Sequence, residues 1–412
     1  MKRFALLCFL AFWAVSAEAA TYYVRTGGSD SHSCGQAQKA NDANAKRTIQ
    51  NAANSCPNPG DTIIVHGGIY NESVQILANR QGTRGSPITI KNAGGETVWV
   101  YGGLGITDHL AGGGTTPNRY WTIDGINVDA RDQRSFPIYS DEAYNIVLKN
   151  LEVTGSNGDG GIGIGSDGKD TYHQILNVRV HDNGNGPNSA CRNPSHGGGC
   201  HGIYLHGNYN IVDGLEAWNQ PFGNGLTLYG IPSGPVGTIV RNSKFHHNAT
   251  GIQYVYARDA LIYNNLFYEN NDSVGGGSGI FAGGSHGGKV YNNTFYHNHG
   301  EGLVVSSDTS NLIVRNNIFY NNGSNINNSS GSTTVSNNLT ADPRFVNAGA
   351  GDFHLQAGSP AIDTGMTVRE VTTDLEKTPR PQGGRFTIGA YEYTDSAPRP
   401  LSAPTRPRRS KR

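Results

Sequence analysis

Short apolar strings recur along most of this chain, each cut off by Asn or Gly. Leu261-Ile262-Tyr263-Asn264-Asn265-Leu266-Phe267-Tyr268 and Leu312-Ile313-Val314-Arg315-Asn316-Asn317-Ile318-Phe319-Tyr320 are nearly superimposable. Runs this brief predict strands, not helices. Placing Asn or Gly three residues ahead of an apolar residue aligns Gly125, Asn150, Asn177, Gly214, Asn242, Asn264, Asn292 and Asn316, with Asn337 after them. The steps are 21 to 28 residues, with one step of 37. Such a period predicts a β-solenoid, each circuit of chain burying its apolar face only against its neighbours. At the sharp corner an inward Asn amide is expected to bond the unpaired backbone and stack on the Asn of the next circuit. Gly stands there where φ must be positive.

The long step, from Asn177 to Gly214, contains an insertion, Asn183 to Gly199, rich in Gly, Asn and Ser. Insertions in solenoids map to loops on one face, often the binding face. On the strand that follows, period-2 alternation turns Ile162/Ile164, Ile203/Leu205, Leu226/Leu228 and Leu303/Val305 inward. The first outward row is then Pro137, Gly163, Tyr204, Thr227, Gln253, Phe281 and Val304. The second is Tyr139, Gly165, His206, Tyr229, Val255, Gly283 and Ser306. By the same parity His201 points inward or into the corner.

Composition sharpens this picture. With 57 Gly and 2 Met in 412 residues and 16% charged, long helices are excluded, since Gly and Asn disfavour them. Apolar residues at 36% exclude a disordered chain, and the glycines lack collagen's period of three. Residues 1–20 read as a secretory signal: Lys2 and Arg3, an apolar run from Phe4 to Val15, then Ala17-Glu18-Ala19. That run is too short to span a membrane, so a secreted protein, extracellular or periplasmic, is expected. Residues 396–412 form a basic, Pro-rich disordered tail, leaving 21–395 as one domain. Without leader and tail, 24 basic face 31 acidic residues, so neither nucleic acid nor a membrane is an expected partner. Removing the leader leaves Cys34, Cys56, Cys191 and Cys200, with three possible connectivities. Proximity favours Cys34 with Cys56 and Cys191 with Cys200.

The repeat strings resemble the right-handed parallel β-helix of the pectate-lyase-like superfamily, over roughly Tyr22 to Tyr393. Thr21-Tyr22-Tyr23-Val24, Thr48-Ile49-Gln50-Asn51-Ala52 and Gly60-Asp61-Thr62-Ile63-Ile64-Val65 look like its entry module. There a short helix caps the N-terminal end of the core. Asp342-Pro343-Arg344-Phe345, Ser359-Pro360-Ala361-Ile362-Asp363 and Ile388-Gly389-Ala390-Tyr391-Glu392-Tyr393 look like its exit module. The resemblance implies an all-β fold, a single β-helix of about twelve coils and ~58 Å at ~4.8 Å per coil. Cys200-His201-Gly202-Ile203-Tyr204-Leu205-His206-Gly207 also resembles a segment found in many members.

The chemistry to expect is β-elimination on a polysaccharide containing uronic acid. It needs a base for the C5 proton, a group to offset the carboxylate, and an acid for the departing oxygen. His206 is the expected base, with Tyr204 or Tyr229 as acid. Gln253, Thr227, Tyr139 and Arg192 are expected to contact substrate. Offsetting falls to Gln253, Arg192, or a Ca²⁺ held by Asp159, Asp167 and Asp170; the same Asp/Gly turns read equally as solenoid corners, with no cofactor required. A base role for Lys169 or Lys244 requires a lowered pKa, which Asp167 and Asp170 oppose at Lys169. His246, His247, His297 and His299 read as solvated turn residues. A glycoside hydrolase is the first alternative, although the predicted groove strands show no outward Asp or Glu to form its carboxylate pair. An epimerase and a non-catalytic carbohydrate-binding or cell-surface β-helix are the others. A monomer is expected.

Overall fold

The computed structural model describes residues 18–395 except 42, 108–116, 134, 166–170, 187–188, 193–198, 231–233 and 272–275. Most of the expected leader, the whole basic tail, and Asp167, Lys169 and Asp170 therefore lie outside the described residues. Each circuit contributes strands to three parallel sheets. A first sheet of 12 strands runs from Thr21–Val24 to Thr334–Ser336. A back sheet of 10 runs from Gly68–Tyr70 to Ile318–Tyr320, and a groove sheet of 10 from Ser73–Ile76 to Ser324–Asn328. The single β-solenoid of about twelve coils expected from the repeat is therefore the fold. The helix Ile49–Ser55 covers its N-terminal end, with Ile49, Ala52 and Ala53 fully buried. Thr48 caps it by accepting from the Asn51 amide. Disulfides join Cys34 to Cys56 and Cys191 to Cys200, with Cα atoms 5.4 and 5.8 Å apart.

All nine aligned Asn and Gly positions are left-handed, with φ from 50° at Asn292 to 74° at Gly214. The expectation that these same side chains point inward needs correcting. A left-handed residue turns the chain, and it is the next residue that faces the core. Asn265, Asn293, Asn317 and Asn338 form the inner ladder, each amide reaching the next oxygen at 2.9 to 3.0 Å. The left-handed amides form a second ladder outside it, as in Asn177 to Asn150 at 2.9 Å. A third runs through Gln220, Asn248, Asn270, Asn298 and Asn322 at the corner leading to the groove sheet.

Inside, Phe245, Phe267, Phe295 and Phe319 stack at 5.2, 4.7 and 4.5 Å. Glycines on the facing strands give them room: a Cβ at Gly279 would lie 2.5 Å from the Phe295 ring. After the last circuit the chain folds back along the outside. Val368, Val371 and Phe386 cover Tyr263 and Tyr291 of the first sheet. Phe345, Phe353 and Tyr391 cover Tyr268 and Tyr296 of the back sheet. Backbone carbonyls of Thr373, Thr387 and Met366 take up the outer amides of Asn264, Asn292 and Asn316. A buried Arg380–Glu392 pair at 2.6 Å closes this segment.

Candidate functional site

The groove sheet presents three outward rows, one more than alternation predicts. Each central strand opens with a polar residue, a Gly and an apolar residue: His201-Gly202-Ile203, Asn224-Gly225-Leu226, Thr250-Gly251-Ile252 and Glu301-Gly302-Leu303. In each, both the Gly and the apolar residue are buried. Two successive inward positions break the parity, so the residue before the Gly faces out. His201 is thus not turned inward: it lies at the edge of the trough, its ring 6.0 Å from that of Tyr204.

The middle row also needs a shift. Ile138 pairs with Ile162, so Tyr139 lies beside Gly163, in the row of Tyr204, and not in the row of His206. The loop before that strand, residues 130–137, is longer than its counterpart at 155–159, and alternation alone cannot set register across unequal loops. Tyr139 stacks on Phe136 at 5.9 Å. Phe136 in turn covers Gly163, where a Cβ would meet its ring at 3.0 Å. An aromatic floor therefore runs from Tyr139 to Tyr204.

Tyr204 is the hub. His201 and His206 flank it, each ring 6.0 Å away, and Tyr229 on the next strand is 6.2 Å away at 55°. Tyr229 meets Tyr256 edge-on at 6.0 Å. Tyr256 and Phe281 continue the surface, 43% and 36% exposed. Tyr204, His206 and Tyr229 are thus brought together. His206, however, forms the floor and is only 7% exposed, against Gly230. Burial, with Tyr229 adding to it, pushes the Tyr204 phenol up to about 12. Burial pulls His201 down to about 4, against the opposing pull of Asp159. The Asn224 amide donates to His201 Nδ1 at 3.1 Å, so the neutral ring carries its proton on Nε2.

Several expected substrate contacts are placed differently. Thr227 is 1% exposed and its hydroxyl accepts from Asn224 Nδ2 at 2.9 Å, so it supports the trough from beneath and cannot touch a sugar. Gln253 Oε1 accepts from the same amide at 2.9 Å, on a half-buried side chain. Arg192 donates to the carbonyls of Gly186 and Asn185 at 2.9 and 2.8 Å and lies over Phe222. It braces the insertion at the rim. Asp159 holds the Ser135 hydroxyl through its carboxylate. Among the described residues no three His, Cys, Asp or Glu side chains assemble as a cation site. Asp167 and Asp170, the other expected calcium ligands, lie outside the described residues, and no step below is routed through a metal. Two carboxylates do stand on groove strands, correcting the sequence reading: Asp141 and Glu301. They are six strands apart, ~29 Å, beyond the ~5 to 9.5 Å that glycoside hydrolysis requires.

The back sheet carries a second outward row of rings: His181, Trp218, His246, Tyr268, Tyr296 and Tyr320. Here the imidazoles meet acids. His181 Nδ1 is 2.7 Å from Asp182 and its Nε2 3.1 Å from Glu152; His246 lies 3.6 Å from Glu216. Burial alone would lower the His181 pKa, but these bonds outweigh it and raise it. His247 and His297 sit at left-handed corners as turn residues, both facing Glu269.

Residues 201–359 match the model of the family described as right handed beta helix region. Pectate lyase Pel9A superposes with a TM-score of 0.60 at 17% identity, over 92% of this chain and 98% of that one. A rhamnogalacturonan lyase gives 0.57 at 15% identity over 85% and 97%, and XylC in complex with xylose 0.50 at 12% over 91% and 98%. No curated protein matches the chain in sequence. The class is therefore set by fold: this is a right-handed parallel β-helix protein. Among the described residues no helix is long and apolar enough to cross a membrane.

Proposed function

We propose that the chain is an exported polysaccharide lyase that cleaves a polymer containing uronic acid by β-elimination, with the trough around Tyr204 as its active site. The carrying observation is that two imidazoles and two phenols meet on adjacent strands of one sheet. Elimination needs a base and an acid on the same sugar residue, and both come here from one wall. Tyr204, held protonated by burial, gives its proton to the departing glycosidic oxygen. His201, with Nδ1 occupied, presents an N–H donor, so the accepting role goes to His206. Tyr229 and Tyr256 give the neighbouring sugars an apolar face. The likeness to Pel9A and to a rhamnogalacturonan lyase supports the reading through the fold they share. The low exposure of His206 favours a second reading, a carbohydrate-binding β-helix without turnover.

The test is absorbance at ~235 nm during incubation with a panel of uronic-acid polymers, because elimination creates a conjugated double bond and hydrolysis or binding does not. A rising signal that is lost in His206→Ala, with circular dichroism unchanged, is the expected result. Silence on every polymer, with and without calcium, transfers the chain to the second reading.

A further inference from the structure

Where the back sheet ends, the returning chain leaves a cavity of about 290 Å³ lined by Tyr296, Tyr320, Asp342, Arg344, Phe345 and Gln356. Its floor is the end of the outward ring row. Tyr296 lies in register with Tyr320, the ring centres 6.3 Å apart and the planes tilted by 31°. Phe345 stands edge-on to Tyr296 at 88° and closes one side. Both tyrosines are only half-buried. The polar side is built on a fixed backbone. Arg344 occupies a left-handed corner at φ 55°. Its amide donates to Asp342 Oδ1 at 2.8 Å, and its carbonyl accepts from the Gln356 amide at 2.9 Å. Gln356 Nε2 donates to the Phe345 carbonyl at 2.8 Å, which holds that side chain at the rim. Among the described residues no carboxylate forms an ion pair with the Arg344 guanidinium, and the tail beyond Asp395 contains no Asp or Glu to supply one.

We propose that this cavity is an accessory binding site, on a different wall from the trough, that holds one uronate residue of a polysaccharide; the choice of a uronate rests on the lyase reading. Its volume is at the small end of ligand sites, ~300 to 1,000 Å³, and suits a single sugar. The Arg344 guanidinium matches a carboxylate with two parallel N–H bonds. Tyr296 and Tyr320, tilted and partly open, offer ring surface to the C–H face of the pyranose. The second oxygen of Asp342 and Gln356 Oε1 are acceptors for its hydroxyls. No bond is made or broken there. The site tethers: polymer held on the back wall stays close to the chain between cuts, which raises its effective concentration at the trough.

The probe is polygalacturonate cast into a native gel, with its carboxyl-reduced form as the neutral control. In the full chain, Arg344→Ala is expected to weaken the apparent affinity for polygalacturonate at least ~5-fold. Arg84→Ala, which removes the same charge from an exposed turn elsewhere, should change it by less than ~2-fold. In the carboxyl-reduced gel Arg344→Ala should run as the unaltered chain does. Equal affinity in Arg344→Ala and the unaltered chain, an equal loss in Arg84→Ala, or no retardation of the unaltered chain overturns the inference. A chain ending at Asp395 should bind as the full chain does; binding that appears only on truncation would mean that the tail fills the cavity, which also overturns it. The rate of Arg344→Ala at ~235 nm on trigalacturonate should match that of the unaltered chain, and a lower rate overturns the accessory role. A chain silent on every polymer loses the lyase reading, and the gels still decide the cavity.

Discussion

Two walls of one solenoid carry rows of outward rings, and they differ in what happens to the ring faces. On the back wall His181, Trp218, His246 and Tyr268 lie nearly parallel, at interplanar angles of 17°, 7° and 14°. Each ring is covered by the next, the imidazoles face carboxylates, and the returning C-terminal segment covers the far end with Phe353. In the groove, Tyr204, Tyr229 and Tyr256 are turned at 55° and 64° from strand to strand, while His206 and His201 stack on Tyr204 along its own strand at 11° and 29°, and the row stays partly exposed. Stacked neighbours exclude a sugar as effectively as a buried core does; tilted neighbours leave faces open. The number of aromatic residues along a β-helix therefore says little about where a polysaccharide binds. Their mutual angle, and whether their polar partners belong to the chain, says more.

The sharpest break between the walls is in activity. Tyr204→Phe removes one hydroxyl from the groove and is expected to lower the 235-nm rate by ~10²- to 10⁴-fold, with unfolding free energy moved by no more than ~0.5 kcal/mol. Tyr268→Phe, the matching change on the covered wall, is expected to leave the rate unchanged. Similar losses in both variants would dissolve the distinction.

Stability should divide the opposite way. Phe353→Ala uncovers Tyr268 and Tyr296 and leaves a cavity where a fully buried ring stood, costing ~3 to 5 kcal/mol in urea unfolding. Asn293→Ala, which strands the buried Asn265 amide and Ile262 carbonyl of the inner ladder, is expected to cost ~1 to 3 kcal/mol. Asn150→Gly, at a left-handed corner whose φ of 54° glycine adopts freely, should cost well under ~1 kcal/mol.

The smallest and most specific contrast is in proton uptake. His201 in the groove has a folded pKa near 4, below its unfolded value of ~6.5. It contributes stability that is present above pH ~6.5 and lost as pH falls through 4. His181 on the back wall is raised, so its contribution is present below ~6.5 and lost as pH rises through its folded pKa. Imidazole resonances followed by NMR should show His201 neutral at pH 5 and His181 still charged at pH 6.5. Both rings titrating together would remove the electrostatic part of the comparison.

Much of this architecture could be read from the order of residues. The corner period and the convergence of Tyr204, His206 and Tyr229 follow from Asn and Gly spacing and from alternation, because a solenoid repeats one local rule, whereas the helical cap is implied by the resemblance of the entry strings. Alternation failed where that rule is broken by glycine. Gly202 and Ile203 both face inward, so parity assigned His201 to the wrong side and missed Asn224 and Glu301 with it. The recurring polar-Gly-apolar triplet at the head of each groove strand is the signal that would have found them. What no local pattern carries is cover. Nothing near Tyr268 in sequence says that Phe353 will land there.

The most direct measurement is a crystal structure of the Tyr204→Phe variant soaked with a uronate oligomer. The account predicts sugar density along Tyr229, Tyr256 and Phe281, with C5 of the central residue within ~3 Å of a His206 ring nitrogen. Density on the back wall beside Trp218, or a sugar in the trough with its C5 turned away from that imidazole, would contradict it.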